Sequence, residues 1–316
     1  NDPATTPKTR QQLKLVQRLR DFASQELGLP DNRSYRSYAD LERPFAIWNV
    51  FATPELSLAP KQWCFVFAGC VSYRGYFARE QAEKFTADLK RDGYDVYVGG
   101  VPAYSTLGWF NDPLLNTFIN RTEADLAGLL FHELTHQVLY VSGDSAFNES
   151  FATVVELEGV KRWFERHGTT QQAEAYRQKI RRRGQFTVLV LKHKARLAEI
   201  YASSSSDAEK RTAKTRVFVE LRSDYTALKA NWGGQADYDK WFAQDLNNAH
   251  LAAIGLYHQH VAAFQKLLAL HRDDLTAFYR SVEEIAKLPK AERATALGRN
   301  LSGANNRVRF LPELSV

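Results

Sequence analysis

Two histidines four residues apart with a glutamate beside the first, His132-Glu133-Leu134-Thr135-His136, restrict this chain more than any other stretch of it. Positions i and i+4 share one face of an α-helix, so the segment brings both imidazoles to one point only if it is helical. Two rings placed that way reach a single tetrahedral metal ion, with Glu133 beside the same point. The flanking residues agree with a helix. Residues 122–142 read as one amphipathic helix, with Thr122 as N-cap, Asp125 at the capping-box position, and Leu126, Leu129, Leu130, Leu134 and Val138 at helical spacing. Gly143 supplies a stop.

This five-residue pattern is that of zinc peptidases. A catalytic zinc site needs a third protein ligand and an open position. Asn148-Glu149-Ser150-Phe151-Ala152 offers one, at the start of a second predicted helix over 148–167 that carries Phe151, Val154, Val155, Val160, Trp163 and Phe164 and stops at Gly168. Glu149 falls in its first turn, and Glu156 lies two turns further along the same face. Asp144 and Asp112 are alternative third ligands with poorer placement.

HELTH followed by NESFATVVELEG resembles the gluzincin metallopeptidases, in which a glutamate on the helix after the histidine motif completes the zinc site. The resemblance implies that His132, His136 and Glu149 bind Zn²⁺, that Glu133 is the general base, and that Glu156 is an acidic group behind the ligands. The gap between His136 and Glu149 is shorter than in the large zinc aminopeptidases, which calls for a tight loop over Ser142–Phe147. Longer segments, WNVFATPELSLAPKQWCFVFAGCVSYRGYF, VYVGGVPAYSTLGWFNDPLL and FHELTHQVLYVSGDSAFNESFATVVELEGV, resemble a bacterial family of predicted zinc aminopeptidases whose members are usually exported or lipid-anchored. That similarity implies a peptide substrate, the bacterial periplasm or cell envelope as location, and membrane anchoring through a segment not present in this chain. A GxMEN-like segment, which holds the substrate amino terminus in well-known zinc aminopeptidases, is missing. An endopeptidase of the same clan is therefore the alternative, and a non-catalytic zinc-containing binding or scaffold protein is a further one. Glu133 favours catalysis, because a structural metal site has no use for a base there.

Hydrolysis also needs a donor for the oxyanion, a role tyrosine often fills in gluzincins. Tyr257, on a histidine-bearing helical stretch, is the first candidate among fourteen tyrosines, and Tyr104 is the second. His250, His258 and His260 are further candidates for the site. Tyr94-Asp95-Val96-Tyr97-Val98-Gly99-Gly100 alternates as a strand does. By the same resemblance an edge strand here pairs with the substrate main chain, with Gly99 and Gly100 allowing close approach.

The expected fold is α+β and predominantly helical: a small sheet beside a gluzincin-type pair of zinc-binding helices, with a helical C-terminal half. Residues 1–168 form the N-terminal part and 169–316 the helical part, packed as one catalytic unit. A helix is expected over 9–27, strands near 46–51, 64–76 and 94–99, and a helix over 79–91. Beyond Gly168 the chain reads as helices over 170–201, 207–230, 236–271, 273–286 and 290–298, broken by the serine run 203–206 and by Asn231-Trp232-Gly233-Gly234, with an irregular tail. The helical part is expected to cover the cleft and favour short peptides.

The length of 316 residues, 44% of them hydrophobic, is ample for a large core, and no stretch approaches the roughly eighteen apolar residues of a membrane span. The polar start, Asn1 to Pro7, reads as the trimmed edge of a longer precursor. Cys64 and Cys70 are either buried small hydrophobes or, in an exported protein, a short-loop disulfide. A net charge of +6 permits weak attraction to anionic surfaces, but no nucleic-acid module is recognisable. The basic cluster Arg181-Arg182-Arg183 reads as a solvated helix face.

Overall fold

The computed structural model describes residues 5–65 and 69–302. The first part runs α1 (Pro7–Leu27), β1 (Tyr38–Ala39), β2 (Ile47–Pro54), β3 (Trp63–Phe65), β4 (Gly69–Val71), β5 (Arg74–Tyr76), α2 (Arg79–Arg91) and β6 (Tyr94–Val101). Then come β7 (Leu114–Leu115), α3 (Asn116–Ile119), α4 (Glu123–Val138) and α5 (Ser145–His167). The remainder is helical: α6 (Thr170–Ala202), α7 (Asp207–Asn231), α8 (Asp239–Phe242), α9 (Asn248–His258), α10 (Val261–Leu270), α11 (Leu275–Ala286) and α12 (Lys290–Ser302). The architecture is α+β and predominantly helical. No described helix is long and apolar enough to cross a membrane.

Local signals set the helix ends. Thr122 Oγ1 accepts the Asp125 N–H to start α4, and Thr169 and Ser206 open α6 and α7 with reciprocal capping boxes. Each such cap stabilises its helix by roughly 1 kcal/mol.

The main sheet has the order β5-β2-β6, antiparallel throughout, with β2 in the centre. Side chains alternate across β2. Val50 and Ala52 meet Ala82 and Leu89 of α2 on one face, while Phe51 meets Ala249 and Ala253 of α9 on the other. The sheet therefore holds α9, and Tyr257 with it, in a fixed position. Buried Asn248 reinforces this, since its Nδ2 donates to the carbonyls of Glu55 at 2.8 Å and Ser57 at 3.1 Å just after β2. Lys214 of α7 adds an ion pair to Asp95 at 2.6 Å.

The largest core joins α1, α4, α5, α10 and α11. Phe22, Phe131 and Trp163 interlock there, with Phe22 edge-on to Trp163 at 5.2 Å. A Cβ at Gly159 would lie 2.7 Å from the Phe131 ring and 2.8 Å from Leu27. Hydrogen at that position lets α5 lie close against α4 and α1. Truncating fully buried Phe131 to alanine would cost about 3–5 kcal/mol. A second core lies between α6 and α7, where Phe186 stacks on Tyr238 at 3.8 Å and Tyr225 on Phe242 at 3.9 Å.

Several boundaries differ from the sequence expectation. The strand expected over 64–76 is three short ones, because β3 and β4 form a hairpin in which Cys64 faces Cys70 and is disulfide-bonded to it. The helix expected over 236–271 is interrupted twice. Asn247 accepts the Ala249 N–H and starts α9 afresh, and α10 begins after His260. The first motif helix ends at Val138, before the anticipated Gly143, and the second begins at Ser145 because Asp144 caps it through Phe147 N. The expected irregular tail lies mostly outside the described residues, as do the first four positions.

Candidate metal centre

α4 and α5 form an antiparallel pair, and Asn148 fixes the turn between them. Its Oδ1 accepts the Val141 N–H and its Nδ2 donates to the Val141 carbonyl, both at 2.8 Å. With Leu139 extended and Gly143 left-handed, this closes the connection in few residues. Glu149, next to Asn148, is thereby held opposite the histidines.

One donor from each of His132, His136 and Glu149 lies within 4.8 Å of the other two. Glu149 Oε2 is 3.1 Å from His132 Nε2 and 3.8 Å from His136 Nε2. Behind His132, its Nδ1 is 3.1 Å from Glu156 Oε2, and the other oxygen of Glu156 accepts from Arg183 Nη1 of α6 at 2.7 Å. The result is a chain Arg183–Glu156–His132 running from the helical half into the donor set. It orients the ring so that Nε2 points at Glu149.

The charges follow from burial and these partners. Burial opposes a charge on His132, yet the hydrogen bonds its ring donates to Glu149 and Glu156 outweigh it and push its pKa up to about 10. Burial also raises the carboxylate pKa values, but the two histidines hold Glu149 well below the usual range. For Glu156, Arg183 and His132 bring the value down to about 2. Glu133 is shifted upward, mainly by burial, so among these carboxylates it is the one biased toward holding a proton.

A cavity of about 850 Å³ runs along α4 from Asp125 past His132, Glu133 and His136 to Tyr140. Glu149 and Glu156 of α5, Tyr176 and Arg183 of α6, and Tyr257 of α9 line it too. Tyr73, Tyr140 and Tyr257 all have hydroxyl pKa values raised by burial and next by the charge of Glu149, which puts three phenols around the donor set. Tyr104 also lines the cavity, at its exposed rim.

Not every residue singled out from sequence comes here. Gly99 and Gly100 lie on β6, itself an edge strand, where they pair with Asn49 and Trp48 of β2, and they are not among the lining residues. A Cβ at Gly100 would lie 2.6 Å from the Phe45 ring, so this glycine makes room for the chain's own aromatic. Gly75 of β5, at the opposite sheet edge, lines the cavity together with Tyr73 and Phe77. His250 packs on Tyr97 at 4.3 Å, and His260 lines a separate smaller cavity. His258 lies close enough to Arg183 and Glu156 to feel both charges, and burial lowers its pKa to about 4. Asp144 is engaged by Arg293 at 2.9 Å, and Asp112 accepts the Thr106 N–H at 3.0 Å.

The basic cluster also departs from the expected solvated face. Arg183 reaches partly buried Glu156, and Arg182 pairs with Asp237 at 2.6 Å. A usable signal existed in the spacing of Tyr176, Ile180 and Arg183, which share one helix face and all line the cavity.

A protein-family model described as "Putative aminopeptidase" matches residues 1–297. The chain belongs to that family. No curated protein and no solved structure gives a match. The match takes in every element from α1 into α12, so the cavity and its α6 wall lie within the family's extent. In this aminopeptidase-family chain the donors suit a metal. Ligand atoms 2.0–2.1 Å from a tetrahedral ion stand about 3.3 Å apart, close to the 3.1 and 3.8 Å seen at Glu149. Two imidazoles and a carboxylate are a common set for catalytic zinc, and a carboxylate on the rear nitrogen of a ligating histidine is its usual support.

Proposed function

We propose that this protein is a zinc-dependent aminopeptidase of the gluzincin type, in which His132, His136 and Glu149 hold the ion and Glu133 is the general base. The observation that carries the reading is the convergence of those three donors in the same cavity as Glu133. A bound Zn²⁺ would act as a Lewis acid toward the scissile carbonyl and bring the pKa of water toward neutrality. Glu133 takes the proton of the attacking water and delivers it to the amine released when the C–N bond breaks. Its burial suits it to both steps, because the upward shift makes it a better proton acceptor than an ordinary exposed carboxylate. Tyr257 is the proposed donor to the oxyanion, and Tyr73 and Tyr140, which line the same cavity and also feel the charge of Glu149, are the other phenols within it.

β5 is a sheet edge, and Tyr73, Gly75 and Phe77 of its stretch line the cavity. In this reading the substrate main chain runs along that edge, in place of Gly99 and Gly100. The Cys64–Cys70 disulfide supports an oxidising location, the bacterial periplasm or cell envelope.

Cleavage of free-amino peptides by zinc-loaded protein, with products identified by mass, tests the reading. Stepwise loss of amino-terminal residues is expected, abolished by acetylating the peptide, and falling about 10²–10⁴-fold in Glu133→Gln while zinc is retained. Internal cuts would replace the aminopeptidase by an endopeptidase. Full activity in the variant would remove Glu133 from the mechanism.

A further inference from the structure

The two ends of the cavity differ in chemistry. Along α4, the end near Asp125 is walled by ion pairs, Asp125 with Lys179, Glu156 with Arg183 at 2.7 Å and Asp237 with Arg182 at 2.6 Å. At the other end Phe77, Tyr104 and Leu107 form the lining. The last of these begins a tight loop that continues into Trp109 and Phe110.

Those aromatic residues face outward. Trp109 is 84% exposed, Phe110 74%, Phe77 61% and Tyr104 52%. They supply half of the exposed large hydrophobic side chains among the described residues; the others are Tyr38, Val188, Val219 and Leu270. The loop is also braced. Thr106 N donates to Asp112 Oδ2 at 3.0 Å, and Phe110 N donates to Thr106 Oγ1 at 3.1 Å. Leu107 adopts φ 57° and Gly108 φ 84°, and a left-handed leucine is unfavourable unless its surroundings enforce it. A braced loop that holds a tryptophan and a phenylalanine in water marks a binding surface rather than a loose connection.

Its position fixes what it binds. Gly108 packs near Gln137, the residue after His136 in α4, and Phe77 stands edge-on to Tyr104 at 6.2 Å across the rim. The patch thus continues the cavity wall from the donor set to the outside. An extended peptide rises about 3.3 Å per residue, so a chain leaving the donor set in this direction passes the patch within a few residues. We propose that Phe77, Tyr104, Trp109 and Phe110 form a docking lip for apolar side chains of a peptide substrate on the carboxyl side of the cleaved bond. The inference rests on the peptidase reading above and adds a substrate class to it: peptides with large apolar residues after the amino-terminal one. The ion-paired end, with its three carboxylates, is left for the amino terminus.

Docking can be measured without turnover in zinc-loaded Glu133→Gln protein, by calorimetric titration with Ala-Leu-Phe-Leu-amide and Ala-Ser-Gly-Ser-amide. The apolar peptide should bind about tenfold more tightly, a difference of about 1.4 kcal/mol. Adding Trp109→Ser and Phe110→Ser should erase that preference, and Trp109→Tyr with Phe110→Tyr should keep most of it. Equal binding of the two peptides, or a preference that survives the serine changes, would overturn the proposal. So would loss of binding to phosphatidylglycerol vesicles as the only effect of the serine changes, since the patch would then be a membrane contact. The two readings fail separately: apolar peptides that bind this lip but are never cut refute the peptidase, whereas cutting with no downstream preference refutes the lip.

Discussion

Two helices of this protein carry histidines into its interior, and the same side chain behaves oppositely on each. On α4, His132 lies between two carboxylates of α5 and is driven toward the charged form, up to about 10. On α9, His250 is just as enclosed but meets the ring of Tyr97 and the backbone of Asn247, and burial takes it down to about 3. Burial is common to both. The carboxylates of α5 make the difference, and one of them, Glu149, completes with the two histidines a group that could hold a metal ion.

If that is so, removing the carboxylates should make α4 behave like α9. The largest expected effect in metal binding is at Glu149, where Glu149→Ala should abolish stoichiometric zinc as measured by metal analysis after dialysis. Retained zinc would hand the third ligand position to Glu156 or an aspartate. A smaller loss is expected one step further out. Arg183→Met leaves Glu156 without its cation and should weaken zinc about 10–100-fold in a chelator competition, the usual range for such supporting groups. The neighbouring Arg181→Met should not. Equal zinc affinity in both variants would reduce the Arg183–Glu156 pair to a structural contact.

The α9 side of the comparison is sharpened by pH. The unfolded pKa of a histidine is about 6.5, and the folded value of His250 is about 3. Between these values the unfolded chain takes up a proton that the folded chain refuses. The stability due to neutral His250 is therefore fully present above pH 6.5 and is lost as pH falls toward 3, by about 1.4 kcal/mol per unit over that window. Chemical denaturation of metal-free protein between pH 7 and 5 should show a shallower decline in His250→Asn than in the unchanged chain. Parallel slopes would mean that the ring is hydrated or already charged in the fold.

The donor set was legible from sequence because it is local. His132 and Glu149 are separated by 17 residues; helical spacing places the two histidines, and the resemblance of NESFA to the gluzincin segment adds Glu149. Asn148 shows the limit of that reading, since nothing in NESFA says that its amide would clamp Val141 and close the inter-helix turn. Arg183 was obscured for a different reason. In a run of three arginines each looks solvated, and only the face shared with Tyr176 and Ile180 singles out Arg183 as the one that reaches Glu156. The same holds for the split of the helix expected over 236–271, where Asn247 caps a new helix although the apolar content continues. Gly99 and Gly100 were read as allowing close approach because a sequence does not show that the Tyr97 ring lies beside the first and the Phe45 ring beside the second.

The inter-helix turn has a consequence for the order of assembly. Because α4 and α5 are sequence neighbours, closing the loop between their donors costs little chain entropy, whereas Glu156 waits for Arg183 to arrive 27 residues later in the chain. The ion could therefore be captured by a nascent helical hairpin before the long α6–α7 arm has docked, and tightened only afterwards. Pulse-labelled hydrogen exchange during refolding with and without zinc would see this as early protection of α4 and α5. Protection of α6 at the same moment would make capture and docking a single event.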